Sequence, residues 1–289
     1  MKPSRSTYLD VRGLRYHCRE WGDAGAPRVF MLHGWMDVSA SFQFLVDALA
    51  REWHVVAPDW RGYGLSEWSG ADSYWFADYI GDLDVLLARY SPNEPVKLVG
   101  HSMGANIACL YAGARPARVA QVVNLEGFGL RDGDAQDAPQ RYAKWLDELA
   151  QPQRFRAYES FAALARRLQA QNPRLTELRA AFLARHGGRE DAEGLVRLAS
   201  DPAHKRTHPV LYRLEEAKAC WRAITAPVLW IDGAESETLR QLRIHANDYA
   251  ERKACFARLT EHVVPDAGHM VHHDRPEAVA ALIEPFLAI

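Results

Sequence analysis

Four short apolar runs with almost no polar alternation constrain this chain more than any other feature. They are Arg28-Val-Phe-Met-Leu32, His54-Val-Val-Ala-Pro58, Val96-Lys-Leu-Val-Gly100 and the stretch 119–125. A strand with one wet face alternates apolar and polar residues; a continuous run is the pattern of a strand buried on both faces. Between the runs the apolar spacing becomes helical, over 39–51 (with Phe42, Leu45, Val46 and Leu49 on one face), 74–90 and 103–114. Strand–helix alternation implies right-handed crossovers and a mainly parallel sheet covered by helices, an α/β fold. Ahead of it, 7–11 and 14–21 read as two strands joined at Arg12-Gly13, which adds an antiparallel hairpin at one edge.

The rhythm breaks over 130–218, where helical patterns at 142–149, 155–169 and 175–184 follow one another with no convincing strand. It resumes with strands at 226–231 and 261–265 and closes on an amphipathic helix over 275–289. The expected organisation is a core of residues 1–129 and 219–289 carrying an inserted helical cap, 130–218. The insert holds sixteen Lys/Arg against thirteen Asp/Glu, the balance of solvated helix faces.

Composition excludes several function classes. The chain's 289 residues are 48% hydrophobic with a net charge of −2, which gives a nucleic acid no electrostatic footprint to bind. No window approaches the ~18 uninterrupted apolar residues of a membrane span. Met1-Lys-Pro-Ser-Arg-Ser6 leads into strand-like sequence without an apolar signal core. Cys18, Cys109, Cys220 and Cys255 are scattered, as expected of reduced thiols in a cytoplasmic protein. Oligomeric state is not legible.

The sharpest chemical signal is Gly100-His-Ser102-Met-Gly104, a G-x-S-x-G pentapeptide between an expected strand and an expected helix. That context is a nucleophile elbow: a strained turn that lifts the serine hydroxyl above the carboxyl edge of the sheet. A serine hydroxyl needs a base. Of twelve histidines, His269, in Asp266-Ala-Gly-His-Met270, follows the last strand and reaches that same edge. His101 adjoins the serine, but neighbouring side chains at a sharp turn diverge, and His33 sits in a glycine turn. His269, His272 and His273 lack the H-E-x-x-H spacing of a zinc hydrolase, so no metal is expected. No glycine-rich phosphate cradle is present and no cofactor is required.

His33-Gly-Trp35, Asp59-Trp-Arg-Gly-Tyr-Gly-Leu-Ser66, the elbow and Gly268-His269 together resemble, in order and spacing, the α/β-hydrolase superfamily over essentially the whole chain. The resemblance implies Ser102 as nucleophile and His269 as general base and then acid. It implies an oxyanion hole from the backbone N–H groups of Met103 and Trp35, each donor worth roughly 3 kcal/mol of barrier. The segment 59–66 is implied to be structural. The third triad member departs from the family pattern, in which the glycine that follows the penultimate strand is followed by two residues and then an aspartate. Here Gly233-Ala-Glu-Ser236 puts a serine there, flanked by Glu235 and Glu237, while Asp232 falls within the strand. Some members of the superfamily take their acid from the end of the preceding strand, where this chain has Glu126. Glu126, Glu237 and Glu235 all stand as candidates, with Glu126 ranked first.

A serine elbow suits acyl transfer. Dehalogenases and epoxide hydrolases of this fold attack with aspartate, because a serine alkyl ether would be a dead end. The expected reaction is hydrolysis of carboxylic esters or related acyl bonds of hydrophobic small molecules. Carbon–carbon hydrolysis, perhydrolysis and a non-catalytic small-molecule receptor are the alternatives. Trp35, Met36, Met103, Phe128 and Met270, with Tyr142, Trp145, Phe155 and Phe161 from the insert, are the expected apolar pocket; Trp35, Phe128 and Met270 are the nearest substrate contacts.

Overall fold

The computed structural model describes residues 1–151 and 153–288. Strands β1 (Ser4–Val11), β2 (Leu14–Trp21), β3 (Arg28–Leu32), β4 (His54–Pro58), β5 (Val96–His101) and β6 (Val119–Leu125) form the first part of the sheet. A short pair, β7 (Gly188–Glu190) and β8 (Val196–Leu198), lies in the inserted segment, and β9 (Val228–Gly233) and β10 (Leu259–Val264) complete the sheet. Its eight strands run in the order β1-β2-β4-β3-β5-β6-β9-β10. The β1–β2 and β2–β4 pairs are antiparallel and the rest are parallel.

Alternate residues of the central strands feed two cores. Phe30, Leu32, Leu98, Val122 and Trp230 enter one cluster. Val29, Met31, Val99, Val123, Leu229 and Ile231 enter the other, with Phe42, Leu45, Val46 and Leu49 packed on them as the helical spacing requires. Burial on both faces is the reason these strands read as continuous apolar runs. Edge strand β10 keeps Glu261 and His262 exposed, which blunts pairing with another chain.

The inserted segment is mostly helical, with helices Ala138–Ala150, Phe161–Gln171 and Glu177–Gly187. It corrects the sequence reading at two points. The antiparallel β7–β8 pair was not expected, because three-residue strands reading Gly-Arg-Glu and Val-Arg-Leu are too short to show a period. Residues 155–160 precede the second helix rather than belonging to it; Ser160 caps it by accepting from Ala163 N at 3.2 Å. A third apolar cluster, built from Leu164, Leu175, Leu183 and Val196 with Phe44 of the core, holds the insert together. Helix Leu214–Arg222 runs across the expected boundary at Lys218 and packs on helix Met103–Ala114, where a Cβ on Gly113 would overlap Cys220 O. The last helix spans Pro276–Leu287; Ile289 lies outside the described residues. No helix among the described residues is long and apolar enough to cross a membrane.

Candidate active site

Ser102 joins β5 to helix Met103–Ala114 with φ +51° and ψ −114°. A non-glycine residue in that region costs of order 1–3 kcal/mol and persists only where its surroundings over-determine it. The two glycines of the elbow supply that determination. A Cβ on Gly100 would stand 2.5 Å from Ala105 N, and one on Gly104 would stand 2.7 Å from His33 O. The turn is pinned by Ser102 N donating to Leu125 O at 2.8 Å and Asn106 N donating to Ser102 O at 3.0 Å. The Ser102 side chain caps nothing, so its hydroxyl stands free at the amino end of the helix. There the first-turn N–H groups, Met103 among them, have no carbonyl partner within the helix and present partial positive charge.

The turn after β3 runs against the elbow. A Cβ on Gly34 would lie 3.3 Å from Ser102 Cβ, which brings the following Trp35 beside the hydroxyl. His33 anchors this turn. Its Nε2 accepts from Trp60 N at 2.9 Å, its Nδ1 lies 2.8 Å from Gly34 O, and its own carbonyl accepts from Trp60 Nε1 at 3.0 Å. With Nε2 accepting, Nδ1 carries the proton, and complete burial pushes the ring's pKa down to about 4. His33 is a structural histidine. The 59–66 turn is likewise structural: Asp59 accepts from Ser39 N at 2.6 Å, Leu65 N at 2.9 Å and His17 Nδ1 at 2.8 Å.

Three glutamates compete for the imidazole of His269, and the structure brings one of them to it. Glu126 Oε2 lies 3.0 Å from His269 Nδ1. Glu126 follows β6 with φ +59°, a backbone bend that turns a buried carboxylate toward the carboxyl edge of the sheet. Its Oε1 accepts from Gly233 N at 2.7 Å and its Oε2 from Ser236 Oγ at 2.5 Å. Glu235 instead pairs with Arg174, and Glu237 pairs with Arg240 at 2.6 Å on an exposed helix end. Asp232 lies within β9, accepts from Trp230 Nε1 at 2.8 Å and from Tyr249, and has its pKa raised to about 6 by burial. Ser236 is the partner that sequence reasoning missed. Its only signal was a serine where the family pattern has an acid.

His269 and Ser102 line one cavity of about 320 Å³ together with Trp35 and Met270, and Leu164, Leu168 and Leu183 of the insert form part of its wall. With Nδ1 of His269 held by Glu126, its Nε2 is the nitrogen left for the serine, a contact that in such sites often tightens only when substrate binds. A second cavity of about 420 Å³ that Ser102 also lines is bounded by Trp35, Met103, Phe128 and Trp75, with Arg206 and His208 from the insert. Trp35, Phe128 and Met270 therefore all face a cavity that Ser102 also lines. The insert's expected aromatics do not. Tyr142 and Trp145 lie on helix Ala138–Ala150, which buries no residue. Phe155 sits under Lys205, and Phe161 under Arg185. Aromatic content marked apolar side chains but not the direction in which the insert's helices present them.

His101 bends away from Ser102, as a sharp turn requires, and donates Nε2–H to His269 O at 2.9 Å. Burial, then the neighbouring His269, hold its pKa well below the ordinary histidine value.

The alpha/beta hydrolase fold profile matches residues 27–276. A 3-hydroxybutyrate-oligomer hydrolase of Cupriavidus necator is 31% identical over 92% of this chain and 90% of its own. A serine hydrolase-like protein of Danio rerio is 26% identical over 92% of this chain and 83% of its own. Among solved structures, a thioesterase domain from the curacin biosynthetic pathway superposes with a TM-score of 0.87 at 24% identity, covering 97% of this chain and 99% of that one. With its sheet order, its serine elbow and a profile match over most of its length, this chain belongs to the α/β-hydrolase family.

Proposed function

We propose that this hydrolase cleaves carboxylic esters of hydrophobic small molecules through a Ser102 acyl-enzyme. The observation that carries the reading is the buried Glu126 carboxylate on His269 Nδ1, in a cavity wall shared with a strained, uncapped serine. In this mechanism His269 Nε2 takes the proton of Ser102 as Oγ attacks the acyl carbon. The oxyanion is met by the N–H groups of Met103 and Trp35, and Glu126 steadies the imidazolium without taking its proton. Collapse expels the alcohol, which receives the proton from His269. Water, deprotonated by the same imidazole, then releases the acid. No cofactor takes part in any step.

The two cavities that meet at Ser102 support a substrate with one group on each side of the scissile bond. One cavity is walled by leucines and the other by aromatic rings. The inserted segment serves as the cap, since both walls draw on it. The free cysteines fit the expected reducing, cytoplasmic setting. A second reading, an ester that also carries a free carboxylate, is favoured by Arg206. It lines the aromatic cavity with a buried Nε that has no partner. The Cupriavidus relative's name points to substrates of that kind.

A fluorophosphonate probe followed by hydrolysis of a nitrophenyl ester series tests the assignment. Labelling confined to Ser102 and a rate that rises with acyl length before falling support it. An unlabelled Ser102 returns the chain to the small-molecule receptor alternative. A flat series removes the hydrophobic pocket, and preference for hydroxy-acid dimers selects the second reading.

A further inference from the structure

Beneath the hydrolytic site lies a row of imidazoles that the reaction does not use. His101 is 2% exposed; its Nε2 is engaged with His269 O at 2.9 Å, while its Nδ1 is buried without a partner. His272, on the short helix Val271–Asp274, is fully buried and neither of its ring nitrogens has a hydrogen-bond partner. The two rings lie 4.5 Å apart between centroids. A buried polar atom without a partner costs about 1–3 kcal/mol, and several in one place call for a bound species. A carboxylate faces the same space: one ligand atom each from Asp37, His101 and His272 lie within 4.8 Å of one another. Asp37 already accepts from Val38 N at 2.9 Å through Oδ1 and from Ser41 Oγ at 2.7 Å through Oδ2, which leaves each oxygen a lone pair. Gly34 keeps the edge of His101 open, since a Cβ there would come within 2.8 Å of Nδ1.

We propose that Asp37, His101 and His272 form a binding site for a divalent transition metal of the Zn2+ type, and that loading it inhibits the enzyme. Two imidazoles and one carboxylate are a donor set suited to Zn2+, Cu2+ or Ni2+ rather than to Mg2+ or Ca2+. His101 is arranged as metal-bound histidines are, one nitrogen free and the other donating to a backbone carbonyl. Asp37 and His101 line the cavity that contains Ser102 and His269, so an ion enters from the substrate side. Ligands at ~2.0–2.2 Å from an ion must draw closer together than 4.8 Å. The movement pulls His101, which precedes Ser102 in the chain and holds the main chain of His269. The binding claim stands apart from the assigned reaction; only the inhibition rests on it.

The test is titration of chelator-treated protein with ZnCl2 by calorimetry, with Co2+ absorption as a second probe of site geometry, alongside ester hydrolysis. One ion per chain, a Co2+ spectrum of mixed nitrogen and oxygen ligation, and parallel loss of hydrolysis are expected. His272→Phe, which keeps an aromatic ring next to Phe42, and Asp37→Asn should each weaken binding by at least ~10-fold. His272→Phe should also leave metal-free hydrolysis near the parent rate. Two variants keep the test open should one fail to fold. Absence of binding, or Zn2+ affinity unchanged in both variants, overturns the proposal. Binding without loss of hydrolysis overturns its inhibitory half. Calorimetry and Co2+ spectra read occupancy even if the chain hydrolyses no ester, so the site and the reaction fail separately.

Discussion

Glu126 and His269, 143 positions apart in the chain, meet at 3.0 Å at the carboxyl edge of the sheet, with the glutamate fully buried and the imidazole partly open to the cavity. The carboxylate receives three donors, from Gly233 N, Ser236 Oγ and His269 Nδ1. A glutamine has one acceptor oxygen for them and an amide that must face at least one donor. Glu126→Gln should therefore lower kcat by about 10³–10⁴, the order seen when a triad acid becomes its amide. Glu237→Gln, at an exposed residue paired with Arg240, should leave kcat near the parent value. Steady-state hydrolysis of one good ester checks both. The reverse ranking would move the acid to the later loop.

The Ser236 hydroxyl donates to the same oxygen that His269 contacts. An acid grafted at 236 would thus fall beside the imidazole once Glu126 no longer claims it. Glu126→Gln combined with Ser236→Asp should recover at least ~10-fold of the kcat that Glu126→Gln loses. Ser236→Asp alone should be slower than the parent, since two carboxylates in contact cannot both ionise easily. A double variant no faster than Glu126→Gln would mean that the loop cannot place its acid.

Local chemistry decides how much of this is legible in the sequence. Strands β3 to β6 are legible because burial on both faces disfavours polar residues and leaves runs dominated by apolar ones. The elbow was legible because the close approaches at Gly100 and Gly104 admit no side chain. Glu126 needed more than its surroundings, since Glu235 and Glu237 differ from it only in where their loop folds. The serine at 236 became informative once its hydroxyl was seen on the carboxylate. The insert was legible as helical but not in orientation: its pocket wall comes from Leu164, Leu168 and Leu183 rather than its aromatics. Asp37, His101 and His272 are single letters on three different segments, and no spacing rule joins them.

Arg61 and Asp82 form a buried pair that ties the 59–66 turn to helix Phe76–Tyr90. Arg61 Nε and Nη2 each reach an Asp82 oxygen at 2.5 Å, and Tyr16 donates to the same carboxylate. Removing Arg61 takes two short charged contacts from the buried Asp82 and leaves it with Tyr16 and the half-exposed Arg12 guanidinium at 3.2 Å. Arg61→Met should destabilise the fold by about 3–5 kcal/mol, and Arg61→Met with Asp82→Leu should recover much of that loss. Urea unfolding of the four proteins measures it. A single variant within ~1 kcal/mol of the parent would show that the pair is solvated.

Asp59 sets the acid limit of the same turn. Burial by itself would raise its pKa, but hydrogen bonds from His17 and from the Leu65 N–H outweigh burial and hold it well below the ordinary carboxylate range. A carboxylate depressed in the folded state contributes stability above its unfolded pKa of ~3.9 and loses it as pH falls toward the folded value. Asp59→Asn should be less stable than the parent by about 1.5–3 kcal/mol at pH 7, the worth of hydrogen bonds to a charged group. Below pH ~4 the gap should narrow by up to ~1.4 kcal/mol per pH unit, since the unfolded parent then takes up a proton that its folded form resists. Urea midpoints at pH 6, 5, 4 and 3 follow it, and the comparison cancels the other carboxylates common to both proteins. Two stability curves that stay parallel down to pH 3 would mean that Asp59 gains nothing from its ionised form in the fold.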